Sequence, residues 1–495
     1  MTALPAANAR NAARRIDFAA VISLIGLMTV VLGISMLAPA ILDLDRGNPD
    51  WQVFVIASGV TTLAGGLAWM ATNGAAARLD VREAFLLTGL AWIVLAGFGA
   101  LPLFFSSLKL DFASAYFEAM SGLTTTGSTV ISGLDGAPPG ILAWRAILQW
   151  IGGVGIIVAA IAVLPELRIG GMQLLRAESS DKSDKILPRV NAIANAVVVI
   201  YVSLTALCMA CYWIAGMTVV EAGLHAMTTL ATGGYSTRDS SIGGFHSASI
   251  EWIAVVFMFA ASLPFLVYMR VVRGGFRPLI EDPQIRLFAI LSLGFVAVQF
   301  VYRVVTQGTG AHEAIRHAFF NTATILSTCG FAAVDYTDWG PFHDAIIFLM
   351  MFLGGCAGSS AGGLKSLRIG ILLGVLRQHI ARIIRPHGIF VVRFGSERVS
   401  DDVSASVSGF LFMFVAVFAF ISLVLNMSGM DAITALSTSA TALANVGPGL
   451  GAQVGPAGNF AGLSDFQKWV ASAAMLLGRL ELLTVLVIFI PRYWR

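Results

Sequence analysis

The chain has 495 residues, of which 57% are apolar and only 12% are Asp, Glu, Lys or Arg, and its mean hydropathy is +0.82. Ordinary soluble domains carry about 45–50% apolar and about 25% charged residues, so a cytosolic or secreted globular enzyme is excluded and an all-α polytopic membrane protein fits. The net charge of +3 is too small, and the 31 Lys and Arg too dispersed, for a nucleic-acid surface.

Apolar stretches at 18–41, 51–72, 84–105, 141–165, 190–214, 250–272, 285–305, 343–376, 403–427 and 468–490 give ten candidate transmembrane helices. The first is too long for a signal-peptide core and lacks a clear cleavage site, so it reads as a retained span. Of the Lys and Arg, 21 fall on one alternating set of loops and on the two termini, among them Arg10, Arg14, Arg15, Arg78, Arg168, Arg176, Lys182, Lys185 and Arg495. The positive-inside rule makes that set, and both termini, cytoplasmic. Seven basic residues remain outside, and Lys365, Arg368 and Arg479 lie within apolar segments. Cys208 and Cys211 form a CxxC, but in mid-helix with no βαβ pattern beside it, which reads as two small buried helix residues.

Between the spans lie four short segments of helical composition, 112–123, 218–230, 311–326 and 430–443, too short to cross a bilayer. Each ends in a glycine-containing loop: TTTGS at 124–128, LATGG at 230–234, STCGF at 327–331 and ANVGP at 444–448. Aligned on Gly127, Gly233, Gly330 and Gly447, these repeat at intervals of 106, 97 and 117 residues. Small and hydroxyl residues precede each glycine, and an acidic residue is expected to open each short helix, as Glu118, Glu221, Glu313 and Asp431. The unit is span, half-helix, loop, span. Four such units, 74–170, 171–275, 276–400 and 401–495, follow an extra helix pair at 1–73.

Non-helical backbone inside a membrane leaves N–H and C=O groups unpaired at a cost of several kcal/mol each, on the order of what no single loop repays without a partner. Four loops that converge on one axis have a use for those groups, because inward carbonyls replace the hydration shell of a cation. Glycine reaches φ > 0 and leaves the axis clear, and a half-helix ending at mid-membrane aims its partially negative end at the ion. The ion-binding residues are then Thr125, Thr126 and Gly127; Ala231, Thr232 and Gly233; Thr328, Cys329 and Gly330; and Asn445, Val446 and Gly447. With the 21 basic residues inside, all four loops fall on the outer side.

These loops, with ATGGYST at 231–237, ANVGPG at 444–449, GGCAGSSAGG at 354–363 and LLGRLEL at 476–482, resemble the Trk, Ktr and plant HKT superfamily of potassium transporters, and within it the TrkH-type bacterial subunit. The resemblance covers nearly the whole chain, including the two extra N-terminal helices. It implies potassium as the transported ion, since all four aligned positions are Gly, and a bacterial cytoplasmic (inner) membrane location. Tyr235 stands where Phe is usual. The resemblance also implies a homodimer above a cytosolic TrkA-type subunit that senses NAD(H) or ATP, acting on the short basic loops 166–189, 273–286 and 377–402. No cofactor of the chain's own is expected.

Gly354, Gly355, Gly358, Ser359, Ser360, Gly362 and Gly363 interrupt the eighth span, too many for a stable helix at about 1 kcal/mol per glycine. The resemblance makes this stretch, ending at Lys365, an intramembrane gating loop below the third glycine loop. It also implies that Arg479 projects into the pore below the filter. Arg479 and Glu481, two apart, should face different ways, and Lys365 and Arg368 are able to snorkel to the interface.

His312, Glu313 and His317 form HExxxH rather than the zinc motif HExxH, and GPGLGAQVG at 447–455 follows no strand, so neither metalloprotease nor dinucleotide site is expected. The competing reading is a secondary symporter that couples K⁺ to Na⁺ or H⁺. It would need intramembrane carboxylates, and apart from Glu481 the span interiors hold almost none.

Overall fold

The computed structural model describes residues 16–72, 80–162 and 186–494. Arg10, Arg14, Arg15, Arg78, Arg168, Arg176, Lys182, Lys185 and Arg495 lie outside these, as do the expected unit boundaries at 73/74 and 170/171 and most of the loop 166–189.

The architecture is helical, with one two-stranded hairpin, β1 (Arg393–Phe394) and β2 (Glu397–Arg398). Helices α1 (Phe18–Ser35), α2 (Leu37–Asp45) and α3 (Trp51–Ala71) form the N-terminal pair, α1 packing along α3. Their contact is tight at two glycines: a Cβ on Gly26 would lie 2.7 Å from the Gly65 carbonyl oxygen, and one on Gly65 would lie 2.6 Å from that of Gly26. Backbones brought this close gain dispersion contacts, the usual source of helix association in lipid.

The four units follow. The first comprises α4 (Val81–Phe105), the half-helix α5 (Phe112–Leu123) and α6 (Pro139–Ala162). The second comprises α7 (Ile186–Ile214), the half-helix α8 (Val219–Leu230), α9 (Ala248–Ala261) and α10 (Phe265–Gly274), after which α11 (Arg277–Glu281) leads on. In the third, α12 (Pro283–Gln307) precedes the half-helix α13 (Ala311–Leu326), α14 (Pro341–Phe352) and α15 (Ser366–Ile384). The fourth holds α16 (Asp401–Met427), the half-helix α17 (Ala432–Ala444), α18 (Asp465–Arg479) and α19 (Leu483–Leu486).

Three half-helices start at a side-chain cap, and α13 starts after Gly310 without one. Asp111 accepts from Ser114 N ahead of α5, Asp431 from Thr434 N ahead of α17, and Thr218 with Glu221 forms a capping box on α8. Asp111, not Glu118, therefore opens the first half-helix. Glu118 sits inside it, fully enclosed.

The units close into a ring. The span that follows each half-helix packs on the half-helix of the next unit: α6 on α8, α9 on α13, α14 on α17, and α18 back on α5. Among the described residues, seven helices are long and apolar enough to cross a membrane, and two further spans are bent. The stretch expected as one helix at 250–272 turns by 93° between α9 and α10, and that at 468–490 turns by 105° between α18 and the segment from Leu483. The stretch 343–376 is open from Leu353 to Lys365, as its glycines foretell.

Replacing Gly65 by Val should separate α1 from α3 and cost about 1–3 kcal/mol, read as a lower thermal midpoint of the detergent-solubilised protein in size-exclusion assays. Gly66→Val is the control, since no heavy atom lies within 4 Å of a Cβ there, and its midpoint should stay at the wild-type value.

Candidate functional site

All four half-helices end in the same way. In the Schellman motif the residue after the helix adopts the left-handed conformation and the next N–H returns to a carbonyl five residues earlier. Here Thr126 N donates to Ser121 O, Gly233 N to Thr228 O, Cys329 N to Thr324 O and Val446 N to Thr441 O, each at 2.9 Å. The left-handed residues are Thr125, Thr232, Thr328 and Asn445, with φ of 51°, 52°, 56° and 56°. Glycine is the ordinary occupant of such a position. A β-branched residue there is an outlier costing about 1–3 kcal/mol, and this chain accepts it three times at equivalent points. Strain so placed marks a segment kept for something other than stability.

Two residues further on, Gly127, Gly234, Gly330 and Gly447 again have positive φ, at 87°, 75°, 83° and 111°. Each backs onto a carbonyl of another loop. A Cβ on Gly127 would lie 2.0 Å from Gly233 O, on Gly234 2.0 Å from Cys329 O, on Gly330 2.2 Å from Val446 O, and on Gly447 2.7 Å from Thr126 O. The contacts run from first loop to second, to third, to fourth and back to the first. The same four glycines line one cavity, together with Ser128, Tyr235 and Pro448.

This geometry corrects the sequence register of the second loop. The equivalent of Gly127, Gly330 and Gly447 is Gly234, and Gly233 occupies the position of Thr126, Cys329 and Val446. Consecutive glycines left the alignment free to slip by one. Ala231 is the helix cap, equivalent to Thr124, Ser327 and Ala444. The remaining expected loop residues are brought together as a ring.

Around the ring, buried polar groups hold the loops. Gln149 Nε2 donates to Gly233 O at 2.6 Å, and Tyr235 N donates to Gln149 Oε1 at 3.2 Å. Asn445 Nδ2 donates to Thr126 Oγ1 and to Met475 O, both at 2.9 Å, and Ser128 Oγ donates to Gly447 O at 2.7 Å. The Glu118–Arg145 ion pair lies behind the first two loops. Sequence reading missed these supports because the partners of Gln149 and Arg145 lie far away in the chain, at 233–236 and 118–129, and no local pattern marks them.

The interrupted stretch 353–365 packs beneath the ring. Its backbone is anchored to itself, with Gly354 N donating to Leu364 O and Leu364 N to Phe352 O, both at 2.9 Å. Other bonds go to the bend of the second unit, where Cys356 N donates to Ser262 O at 2.9 Å and Phe265 N to Gly358 O at 3.0 Å. Ser360 Oγ donates to Leu230 O, the last residue of α8, at 3.0 Å, and Gly362 N donates to the left-handed Thr328 through its Oγ1 at 2.7 Å. With Gly362 also packed against Ala444 O, the stretch touches the second, third and fourth units below their loops. Gly354, Gly355 and Gly362 are packed so closely that a Cβ would overlap neighbouring atoms, while Gly358 and Gly363 have positive φ. Ser359 and Ser360 are enclosed.

Arg479 ends α18 and donates through Nη1 to Ser360 O at 2.9 Å, with Nε and Nη2 buried and unpartnered by protein. Glu481 lies in the bend, at φ 58°, and pairs with Arg368, whose guanidinium stands 4.0 Å over the Phe410 ring. Arg368 and Lys365 are both buried. Neither side chain extends outward as snorkelling requires, and Arg368 is held inward by Glu481 and the Phe410 ring.

No group of three His, Cys, Asp or Glu able to hold a metal ion occurs among the described residues. A cation at the ring would meet backbone and hydroxyl oxygens and the negative ends of four half-helices.

Such a ring inside a bundle of membrane-spanning helices defines a transport protein and not an enzyme. The family model of the TrkH cation transport proteins matches residues 50–495. The chain is 39% identical to the Trk system potassium uptake protein TrkI of Halomonas elongata over 97% of each chain, and 37% identical to TrkH of Vibrio parahaemolyticus over 97% of this chain and all of that one. Its structure is similar to the crystal structure of the potassium transporter TrkH from Vibrio parahaemolyticus, with a TM-score of 0.90 at 35% identity, covering 97% of this chain and 100% of the other. The chain belongs to the TrkH family.

The register separates two adjacent glycines by experiment. Gly234→Ala places a methyl on a backbone carbonyl at a left-handed position and should abolish cation uptake in a host lacking its own uptake systems, with a lower thermal midpoint. On Gly233 the nearest atoms to an added methyl belong to the Gln149 side-chain amide and not to backbone, so Gly233→Ala displaces Gln149 from Gly233 O and Tyr235 N and should lower uptake without abolishing it.

Proposed function

We propose that the chain conducts potassium across the bacterial cytoplasmic membrane, with the four glycine loops as its selectivity filter. The observation that carries this reading is the closed ring of glycine-to-carbonyl contacts, from Gly127 through Gly234 and Gly330 to Gly447. A ring of that kind offers a cation oxygens from four sides, and the relatives named above are potassium uptake proteins. In this reading the residues 125–127, 232–234, 328–330 and 445–447 form the ion path.

The stretch 354–363 is the gate. It lies under the ring, is irregular backbone where the rest of the span is helix, and carries a carbonyl that accepts from Arg479. Arg479 adds a positive charge on the inner side of the filter, which limits cation throughput and ties the gate shut. The subunit works as a homodimer with N- and C-termini in the cytoplasm, and a cytosolic TrkA-type subunit responding to NAD(H) or ATP acts on it through loops 166–189, 273–286 and 377–402.

A coupled symporter needs a carboxylate free to gain and lose a cation or proton. Two enclosed carboxylates beside the ring and the gate, Glu118 and Glu481, are each bound to an arginine, Arg145 and Arg368. This favours passive conduction.

Two measurements in liposomes test the reading. With a K⁺ gradient, an imposed potential and neither a Na⁺ nor a H⁺ gradient, wild-type protein should carry K⁺ and Rb⁺ and little Na⁺. Flux that appears only with a Na⁺ or H⁺ gradient sinks the conduction model. Arg479→Ala, or deletion of two residues within 354–363, should raise K⁺ flux several-fold with the K⁺ over Na⁺ preference retained, and unchanged flux in a correctly inserted variant removes the gate from 354–363.

A further inference from the structure

The most completely built polar feature near the ring is an ion pair to which no filter residue belongs. Glu118 in α5 and Arg145 on α6 are 0% and 1% exposed, and Arg145 Nε donates to Glu118 Oε1 at 2.8 Å. Burying two ions costs several kcal/mol each, on the order of what only full hydrogen bonding offsets. That bonding is present. Glu118 Oε2 accepts from Val130 N at 2.9 Å, and Thr129 Oγ1 donates to Glu118 Oε1 at 3.0 Å. Arg145 donates through Nη2 to Thr129 Oγ1 at 3.1 Å and through Nη1 to Ser236 O at 3.0 Å. Its guanidinium lies 4.0 Å from the centre of the Tyr235 ring, and the Tyr235 hydroxyl donates to Glu118 O at 2.9 Å.

The points that Arg145 joins are equivalent. Thr129 and Ser236 each stand two residues beyond the positive-φ glycine of their loop, Gly127 and Gly234. The pair therefore straps the outgoing strands of two neighbouring loops together at matching heights, next to the contact between Gly127 and Gly233 O. The repeat does not require such a strap. Gly152 and Gly478 make the same approach to the carbonyls of Leu123 and Leu443, which matches Arg145 with Ala471, and the loop register matches Glu118 with Thr438. Ala471 and Thr438 are equally enclosed, so the fourth unit has neutral residues at both positions where the first carries charges.

We infer that Glu118 and Arg145 are positioning residues for ion selection: they fix the spacing of the first and second loops, and with it the discrimination between K⁺ and Na⁺, without touching the ion. Cations of equal charge are told apart by the size of the oxygen ring and by the number and stiffness of its oxygens. A charged strap bonded to both strands stiffens one side of that ring. The inference rests on the reading of the loops as a filter.

The test is the K⁺/Na⁺ permeability ratio from reversal potentials of full-length protein in liposomes. Glu118→Gln and Arg145→Lys should lower the ratio roughly tenfold, equal to about 1.4 kcal/mol of discrimination, while total cation conductance persists. Thr129→Val removes the hydroxyl shared by both ions with little change of shape and should lower the ratio by a smaller factor, and Thr129→Ser should restore it. If Glu118→Gln fails to insert, Arg145→Lys and Thr129→Val decide. A wild-type ratio in every variant that inserts and elutes normally overturns the inference, leaving the pair a scaffold. A wild-type protein that does not discriminate K⁺ from Na⁺ overturns the filter reading instead.

Discussion

Everything in this fold answers to one constraint: a helix that stops in the middle of a membrane has carbonyl and amide groups with no water to receive them. The chain meets it four times with the same closure. The N–H groups turn back into the half-helix through Schellman bonds, and the next residues run outward as a strand whose carbonyls abut the glycine of an adjacent loop. No loop is complete alone, because each needs the bare glycine of a neighbour to accommodate its carbonyl. That mutual need explains why the units close into a ring and why α18 returns to α5.

Beneath the ring the same accounting recurs in another form. Among the described residues, three of the four spans that follow the half-helices break, at Ser262–Pro264, at 353–365 and at Leu480–Leu482. Breaks in a membrane are costly singly, yet here they are neighbours. Ser262 O and Phe265 N at the first break bond to Cys356 and Gly358 in the second. Arg479 and Glu481 at the third reach Ser360 and Arg368. The open backbone of each supplies partners to another, so the cluster is polar, buried and nearly self-contained.

The sequence was most informative where periodicity and spacing speak. The half-helices at 112–123 and 311–326 stand at their expected limits, and the interruption after Phe352 follows directly from five glycines in ten residues. It was least informative where neighbours decide. Gly233 and Gly234 are equivalent on paper, and only the fold distinguishes them, through the positive φ of Gly234 and the carbonyl of Cys329 behind it. Glu118 looked like the acid that begins a half-helix, whereas Asp111 takes that part and Glu118 meets an arginine 27 positions further on. Arg368 and Lys365 seemed free to reach the interface, because nothing local foretells the 105° turn that brings Glu481 to Arg368. Bends and cross-unit pairs belong to the tertiary structure, and single-residue patterns do not encode them.

The ring is made by one chain, and its four corners are not copies: Thr126, Gly233, Cys329 and Val446 occupy the same place with four different side chains. In an assembly of identical subunits, any substitution at the ring is imposed on every corner at once, and mild changes are hard to sample. Here a mutation alters a quarter of the circumference and leaves three quarters as they were. Each corner is thereby open to substitution on its own, and a sequence that alters one does not lose the whole ring.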